Sequence, residues 1–369
     1  MGFRESTVEN MVNSNFWKDK RVFITGHTGF KGSWLSLWLH HLGAEVIGYA
    51  LEPPTAPNLF DLCNLSEIIK SIKGDVRNFD FLKNSLAANN PDIVFHMAAQ
   101  SLVRQSYYDP IETYSTNVMG TVNLLEAIRQ IEVVRAVVNV TSDKCYENRE
   151  WMWGYRENEA MGGYDPFSSS KGCSELITAA YRQSYFKTNK TAVASVRAGN
   201  VIGGGDWGKD RLIPDCIRSL AANKEILIRN PQAIRPWQYV FEPLRGYLLL
   251  AEKLYQNGNH YAQAWNFGPS EDNAVLVYEV VQLMLKYWGG GSWKDMSNSE
   301  SKLLHEAHYL KLDCSKARAE LGWKSIVNIE ESIKWTCEWY REYYNNKTPM
   351  RDFSLGQLNR YLKLKPLSH

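Results

Sequence analysis

The segment Tyr164-Asp165-Pro166-Phe167-Ser168-Ser169-Ser170-Lys171 places an aromatic side chain four residues before a lysine, at a serine-rich helix entry. With a tyrosine at 167, the pair would be a phenol beside an ammonium, able to take a proton from a hydroxyl and return it. Phe167 keeps the ring and lacks the oxygen, so it transfers no proton. A second candidate group lies upstream. Thr141-Ser142-Asp143-Lys144 follows an apolar stretch and puts a hydroxyl, a carboxyl and an ammonium on consecutive positions. Asp143 can donate a proton at neutral pH only if burial raises its pKa. Lys144 can accept one only if burial or neighbouring cations bring its pKa well below about 10.4. As a cation it would instead stabilise an enolate. A loop Asp–Lys pair taken alone is more often a solvated pair; its place at a strand end reverses that reading.

Gly26-His27-Thr28-Gly29-Phe30-Lys31-Gly32 follows the first strand-like segment and opens a helix. Glycines let the backbone approach a pyrophosphate closely. The helix N-terminus behind them offers unpaired N–H groups and a partial positive charge. Three glycines at this spacing, at the first strand of an α/β chain, favour a dinucleotide over an ordinary strand-to-helix turn. Glu52, near the end of the second strand, is the candidate for the adenosine ribose, although a solvated loop carboxylate would look the same. With no Arg just after that strand, the reading leans to NAD rather than NADP.

These groups need elements to hold them. Arg21–Thr25, Glu45–Ala50 and segments 93–97, 135–140 and 192–197 read as short buried strands. Segments 33–42, 116–130 and 168–186 read as helices. Such alternation predicts an α/β fold with a Rossmann-type, doubly wound parallel sheet. We expect a NAD-binding unit over 16–200 and, mainly over 201–345, a smaller substrate lobe interleaved with the last sheet strands. The stripe Cys173, Leu176, Ile177, Ala180 and Tyr181 is expected to face the core rather than an interface.

Composition narrows the partners. Lys+Arg number 42 against Asp+Glu 40, which gives no reason to expect nucleic acid or an anionic membrane. No run approaches the roughly 20 apolar residues of a membrane span. The N-terminus, with Arg4, Glu5 and Glu9, lacks the apolar stretch of a secretion signal. Six cysteines are scattered without a C-x-x-C, which argues against zinc or a disulfide framework and for reduced thiols in the cytoplasm.

Longer motifs carry a resemblance. They are Thr25-Gly26-His27-Thr28-Gly29-Phe30-Lys31-Gly32-Ser33-Trp34-Leu35, Gly74-Asp75-Val76-Arg77, His96-Met97-Ala98-Ala99-Gln100 and Asn117-Val118-Met119-Gly120-Thr121. Further on come Thr141-Ser142-Asp143-Lys144-Cys145-Tyr146, Arg197-Ala198-Gly199-Asn200-Val201-Ile202-Gly203-Gly204-Gly205-Asp206-Trp207, Ile234-Arg235-Pro236-Trp237 and His308-Tyr309-Leu310-Lys311-Leu312-Asp313. With these, roughly residues 16–335 resemble the extended short-chain dehydrogenase/reductases. Within them the chain is most similar to the nucleotide-sugar 4,6-dehydratases, in the branch that acts on CDP-glucose.

The resemblance implies NAD on Gly26, Thr28, Gly29, Phe30, Lys31 and Gly32, with Asp75 and Val76 against the adenine. Ala98, Ala99 and Gln100 would line its middle, Asn117 would hold the chain nearby and Lys171 would bind the nicotinamide ribose. It implies a nucleotide-sugar substrate, CDP-glucose, on Asn200, Arg211, Arg235 and Tyr309. Arg235 also makes sense independently, since a guanidinium forks onto phosphate oxygens. In the implied reaction a hydride leaves sugar C4 for NAD⁺, water is lost across C5 and C6, and the hydride returns to C6. Ser142 would hydrogen-bond the 4-hydroxyl, Asp143 protonate the departing 6-hydroxyl, and Lys144 meet the C5 proton. The product class belongs to deoxysugar biosynthesis of the O-antigen or lipopolysaccharide kind. A homodimer or dimer of dimers is implied, through helices containing 121–130 and 174–186.

Phe167 stands where that family has its tyrosine. Three accounts fit it: a replacement made to trap bound substrate, a natural variant using Ser142, a water or Tyr164 instead, and a paralogue that only binds. The first two fit better with the retention of Ser142, Asp143, Lys144 and Lys171. The competing activity is a nucleotide-sugar C4 epimerase, which needs no acid and base for elimination.

Overall fold

The computed structural model describes residues 12–270, 274–297 and 310–364. Tyr309 therefore lies outside the described residues. The strands, in chain order, are β1 (Arg21–Thr25), β2 (Glu45–Ala50), β3 (Lys70–Lys73), β4 (Ile93–His96), β5 (Ala136–Val140) and β6 (Ala192–Ala198). They continue as β7 (Asn200–Ile202), β8 (Ile226–Ile228), β9 (Ile234–Tyr239), β10 (Ala264–Phe267), β11 (Ala274–Leu276) and β12 (Trp293–Asp295).

Seven strands form one parallel sheet in the order β10-β6-β5-β4-β1-β2-β3. The chain runs outward from β1 to β3, then crosses back to place β4 on the other side of β1. That reversal opens a crevice at the carboxyl ends of β1 and β4, where ligands bind in open α/β sheets. Register aligns those ends: Thr25 pairs with Tyr49 and His96, and Val140 with Val196. The glycine loop, residues 98–100, residues 142–144 and Asn200 thus leave the sheet along one edge.

The strands are apolar throughout because helices cover both faces. On one face Ile24, Phe95, Val138 and Val196 pack with Trp34, Leu35 and Trp38 of the helix Phe30–His41. On the other, Phe23, Ile47, Val94 and Val137 pack with Leu124, Leu125 and Ile128 of the helix Gly120–Ile131. The remaining strands build two small sheets, β11-β9-β7 and β12-β8. Among the described residues no helix is long and apolar enough to cross a membrane.

Sequence expectation and structure differ in three places. The first helix starts at Phe30, because Gly29 is its extended N-cap. β3 and the helix Phe79–Asn89 were not anticipated; Lys70-Ser71-Ile72-Lys73 is a polar edge strand with only Ile72 partly covered. The third difference is a correction. In the helix Pro166–Tyr181, Leu176 is 61% exposed, Ala180 is exposed, and Cys173, Ile177 and Tyr181 are only half-buried. The buried face is instead Phe167, Ser170, Lys171, Ser174, Glu175 and Thr178. Small polar residues win there because the helix packs closely on hydrogen-bonding groups of the helical segment Ser115–Met119 and of β5. Ser174 Oγ donates to the Asn117 carbonyl at 2.7 Å, and Asn139 Nδ2 to Thr178 Oγ1 at 2.7 Å.

The N-terminus of this helix is fixed by Asp165, which accepts from Ser168 N at 2.9 Å. Asp165→Ala should lower the unfolding free energy by about 1 kcal/mol, read from urea denaturation.

Candidate active site

A cavity of about 1310 Å³ lies along the sheet edge. Every site residue named from the sequence lines it except Asn117 and the undescribed Tyr309. Asn117 sits behind the wall. Its Oδ1 accepts from Gln100 N at 2.9 Å, and its Nδ2 donates to the Gln100 carbonyl at 3.0 Å and to Ser170 Oγ at 2.8 Å. It ties the loop after β4 to the helix Pro166–Tyr181.

One end of the cavity is shaped for a dinucleotide. Gly26 has φ +76, and a Cβ there would lie 2.7 Å from Ala98 N, so only glycine lets these loops meet. The N–H groups opening the helix Phe30–His41 face the same space, as an anion requires. Asp75 sits at the rim, its carboxylate held below the ordinary range by hydrogen bonds from Arg77. Glu52 lines the cavity and pairs with Lys73. His27 of the loop turns into the protein, its Nε2 2.7 Å from Ser71 Oγ; burial pushes its pKa down to about 4, so it stays neutral.

The centre holds the proton-transfer candidates. Ser142 caps the turn Asp143–Cys145 and donates from Oγ to Asp143 Oδ1 at 2.9 Å. Asp143 is 4% exposed, and burial raises its carboxyl pKa against the opposing pull of Lys144 and Ser142. A side chain at residue 199 would put its Cβ 3.0 Å from Asp143 Oδ2, so Gly199 makes room for this carboxyl. Lys144 is half-buried on the same turn. Across the cavity Lys171 is buried and donates from Nζ to the Val140 carbonyl at 3.3 Å. Burial, and then the charge of Lys31, bring its pKa down to about 8. Lys31 is likewise lowered to about 8, by burial and by Arg211. Phe167 is 7% exposed, one helical turn from Lys171, and its N–H donates to Ser106 Oγ at 3.1 Å. Tyr164 also lines the cavity but is 69% exposed.

The far end is rich in guanidinium groups. Arg211 donates to both oxygens of Asp206, at 3.1 and 2.9 Å, and to Ser101 Oγ at 3.0 Å. Arg235 on β9 and Asn200 on β7 lie on neighbouring strands of the small sheet. Two arginines missed from the sequence, Arg104 and Arg229, each approach Asp210 Oδ1 at 3.5 Å. Nothing in their local sequence marks them: Arg104 lies in the helix Val103–Tyr108 and Arg229 directly follows β8, far apart in the chain. Tyr146, another lining residue, belongs to the motif after β5 and could have been named from it.

Residues 23–336 match the family model described as GDP-mannose 4,6 dehydratase. The chain belongs to this family. A relative from Salmonella typhimurium, CDP-glucose 4,6-dehydratase, is 56% identical over 341 residues, covering 90% of this chain and 94% of the relative. Among solved structures, DesIV, a dTDP-glucose 4,6-dehydratase from Streptomyces venezuelae with NAD and TYD bound, matches at TM-score 0.75 and 24% identity, over 89% of this chain and 99% of that one. UDP-glucose 4-epimerase from Thermotoga maritima also matches at 0.75, with 22% identity over 88% of this chain and 99% of that one. The equal scores show that epimerase and dehydratase share the fold, so the fold of this family member does not choose between them.

The site also has a stability cost. The Lys171 pKa is about 8 folded against an ordinary 10.5. Between those values the unfolded chain holds a proton that the folded chain has released, so stability rises with pH through that window, and below pH 8 the penalty is complete. Lys171→Met should therefore be more stable than the parent at pH 7 by about 1–3 kcal/mol. The gain should fade as the pH nears 10.5, and urea midpoints of both proteins at neutral and alkaline pH measure it.

Proposed function

We propose that this chain is a hydro-lyase of the CDP-glucose 4,6-dehydratase type whose first proton transfer is impaired by Phe167. The observation that carries the reading is the pair Asp143-Lys144: a buried carboxyl of raised pKa beside an ammonium, at the carboxyl end of β5, in the cavity that also holds Lys171. The 56% identical relative of the same name supports it. Elimination of water from a ketosugar needs an acid at the departing hydroxyl and a group to meet the acidified C–H. An epimerase needs neither, so the pair favours dehydration over the epimerase reading.

NAD fits the glycine cradle and would supply the redox chemistry, taking the C4 hydride and giving it back at C6. The residues of the chain do the rest. Gly26, Gly29 and the first turn of the helix Phe30–His41 bind the pyrophosphate, and Lys171 holds the nicotinamide ribose. Asn200, Arg211 and Arg235 hold the nucleotide-sugar, with CDP-glucose as substrate. Asp143, whose proton affinity burial raises, gives a proton to the 6-hydroxyl as it departs. As a free amine Lys144 would receive the C5 proton; as the ammonium it would instead steady the enolate. At the 4-hydroxyl, Phe167 offers no acceptor, and losing a positioned base typically slows such a step by about 10²–10⁴-fold.

The exposed apolar stripe of the helix Pro166–Tyr181 fits a second copy of the chain. Leu176 is 61% exposed and Tyr185, just beyond the helix, 50%, while Met119, Ile111 and Tyr108, on neighbouring segments, are 50%, 81% and 81% exposed. Exposed apolar area of this kind fits an association surface. The six cysteines, none of them paired, fit a reducing cytoplasm.

Phe167→Tyr should raise formation of 4-keto-6-deoxy product from CDP-glucose by about 10²–10⁴-fold with little change in thermal midpoint. Hydrogen label at C4 should appear at C6. A variant that binds NAD and CDP-glucose yet forms no 4-keto product sinks the reading. Leu176→Asp should shift the protein from dimer to monomer in analytical ultracentrifugation while preserving its circular dichroism.

A further inference from the structure

A buried carboxylate that the chemistry above does not use lies one helical turn below Lys171. Glu175 is 3% exposed and accepts three hydrogen bonds, one from the residue after β5 and two from β6. Thr141 Oγ1 donates to Oε1 at 2.5 Å, Ser195 Oγ to Oε2 at 2.7 Å, and Arg197 Nη2 to Oε2 at 2.8 Å. Burial opposes its charge, but the Arg197 guanidinium and these donors outweigh it and hold its pKa below the ordinary carboxylate range. Arg197 is buried too and reaches on to Tyr146 Oη at 2.6 Å and the Glu157 carbonyl at 3.1 Å. Tyr146 in turn donates to Asn266 Oδ1 on β10 at 2.9 Å.

We propose that Glu175 is a positioning residue that clamps the helix Pro166–Tyr181 to the carboxyl end of β5 and thereby sets the spacing between the two halves of the reaction. The inference rests on the dehydratase reading. The helix bears residue 167 and Lys171, which act at C4. The loop after β5 bears Asp143 and Lys144, which act at C5 and C6. One sugar must meet both sets without leaving, so an error of about 1 Å between them slows one step more than the other. Two contacts on successive turns hold the spacing: Lys171 Nζ to the Val140 carbonyl, and Glu175 to Thr141. Thr141 immediately precedes Ser142 and is itself pinned to β6, its N–H donating to the Val196 carbonyl at 2.9 Å. Arg197 Nε is buried without a hydrogen-bond partner, but both Glu175 oxygens are bonded, which fixes the carboxylate in one geometry.

Glu175→Gln would leave the Arg197 charge buried without its partner and endanger the fold. Thr141→Val is the gentler probe, because it keeps the ion pair and the backbone bond to β6 and removes only the hydroxyl, which reaches Glu175 and, at 3.1 Å, the Val196 carbonyl. Ser195→Ala removes a contact of the same kind that does not lead to Ser142. In the Phe167→Tyr enzyme with NAD and CDP-glucose, Thr141→Val should cut product formation about tenfold and raise the fraction of enzyme-bound NADH seen at 340 nm, with KM unchanged. Ser195→Ala should lower the thermal midpoint and leave that fraction as it was. In the ligand-free parent chain, Thr141→Val should speed amide hydrogen exchange at residues 142–144. If Thr141→Val slows both steps in proportion and exchange at 142–144 stays at the parent rate, Glu175 is a stability residue and the proposal is overturned. Absence of any product from Phe167→Tyr itself would instead reject the dehydratase reading, while the exchange measurement still judges the clamp.

Discussion

Ionisable groups held out of water at one sheet edge are the constraint from which the rest of the site follows. Lys31, Asp143, Lys171, Glu175 and Arg197 converge near the carboxyl ends of β1, β5 and β6. Burial opposes the charge of each, and the protein keeps them together beside a sheet that is apolar on both faces. Burial acts on them with opposite signs. It lifts the proton affinity of Asp143, and it weakens the hold of Lys171 and Lys31 on their protons. Glu175 escapes this because Arg197 lies against it. One desolvated neighbourhood therefore holds a carboxyl of raised pKa, two lysines of lowered pKa and a fixed anion, according to what each touches.

Much of this was legible in the sequence because it is local. Glycine spacing after a strand, an acid and a lysine after another strand, and a lysine at a helix entry are patterns of a few residues. The sheet reduces to placing their strand ends on one edge. β1 and β2 match the structure residue for residue, since a strand buried on both faces announces itself by unbroken apolarity. The polar edge strand β3 carries no such signal.

What the sequence hid is non-local or runs against simple amphipathicity. The helix Pro166–Tyr181 buries mostly small polar residues and leaves Leu176 and Ala180 exposed, while Ile177 and Tyr181 are only partly covered by the second core. Periodicity alone locates a stripe without saying what covers it. Arg104, Arg229 and the link from Glu175 to Thr141 join residues far apart in the chain. Only the folded sheet brings them within reach.

Phe167 can be judged in these terms. A tyrosine oxygen would add one polar atom at the cavity wall, while the ring, its burial and its backbone bond to Ser106 belong to the scaffold either way. The scaffold also holds Lys171 by the Val140 carbonyl and Glu175 by Thr141, and neither contact involves the side chain at 167. Loss of the phenol thus removes a proton acceptor from a site whose geometry is maintained by other residues. In the proposed reaction, binding and elimination fall to the glycine loop, the arginines and Asp143, all on different elements. On that proposal the missing oxygen bears on the step at C4 and leaves the groups for the later steps in place.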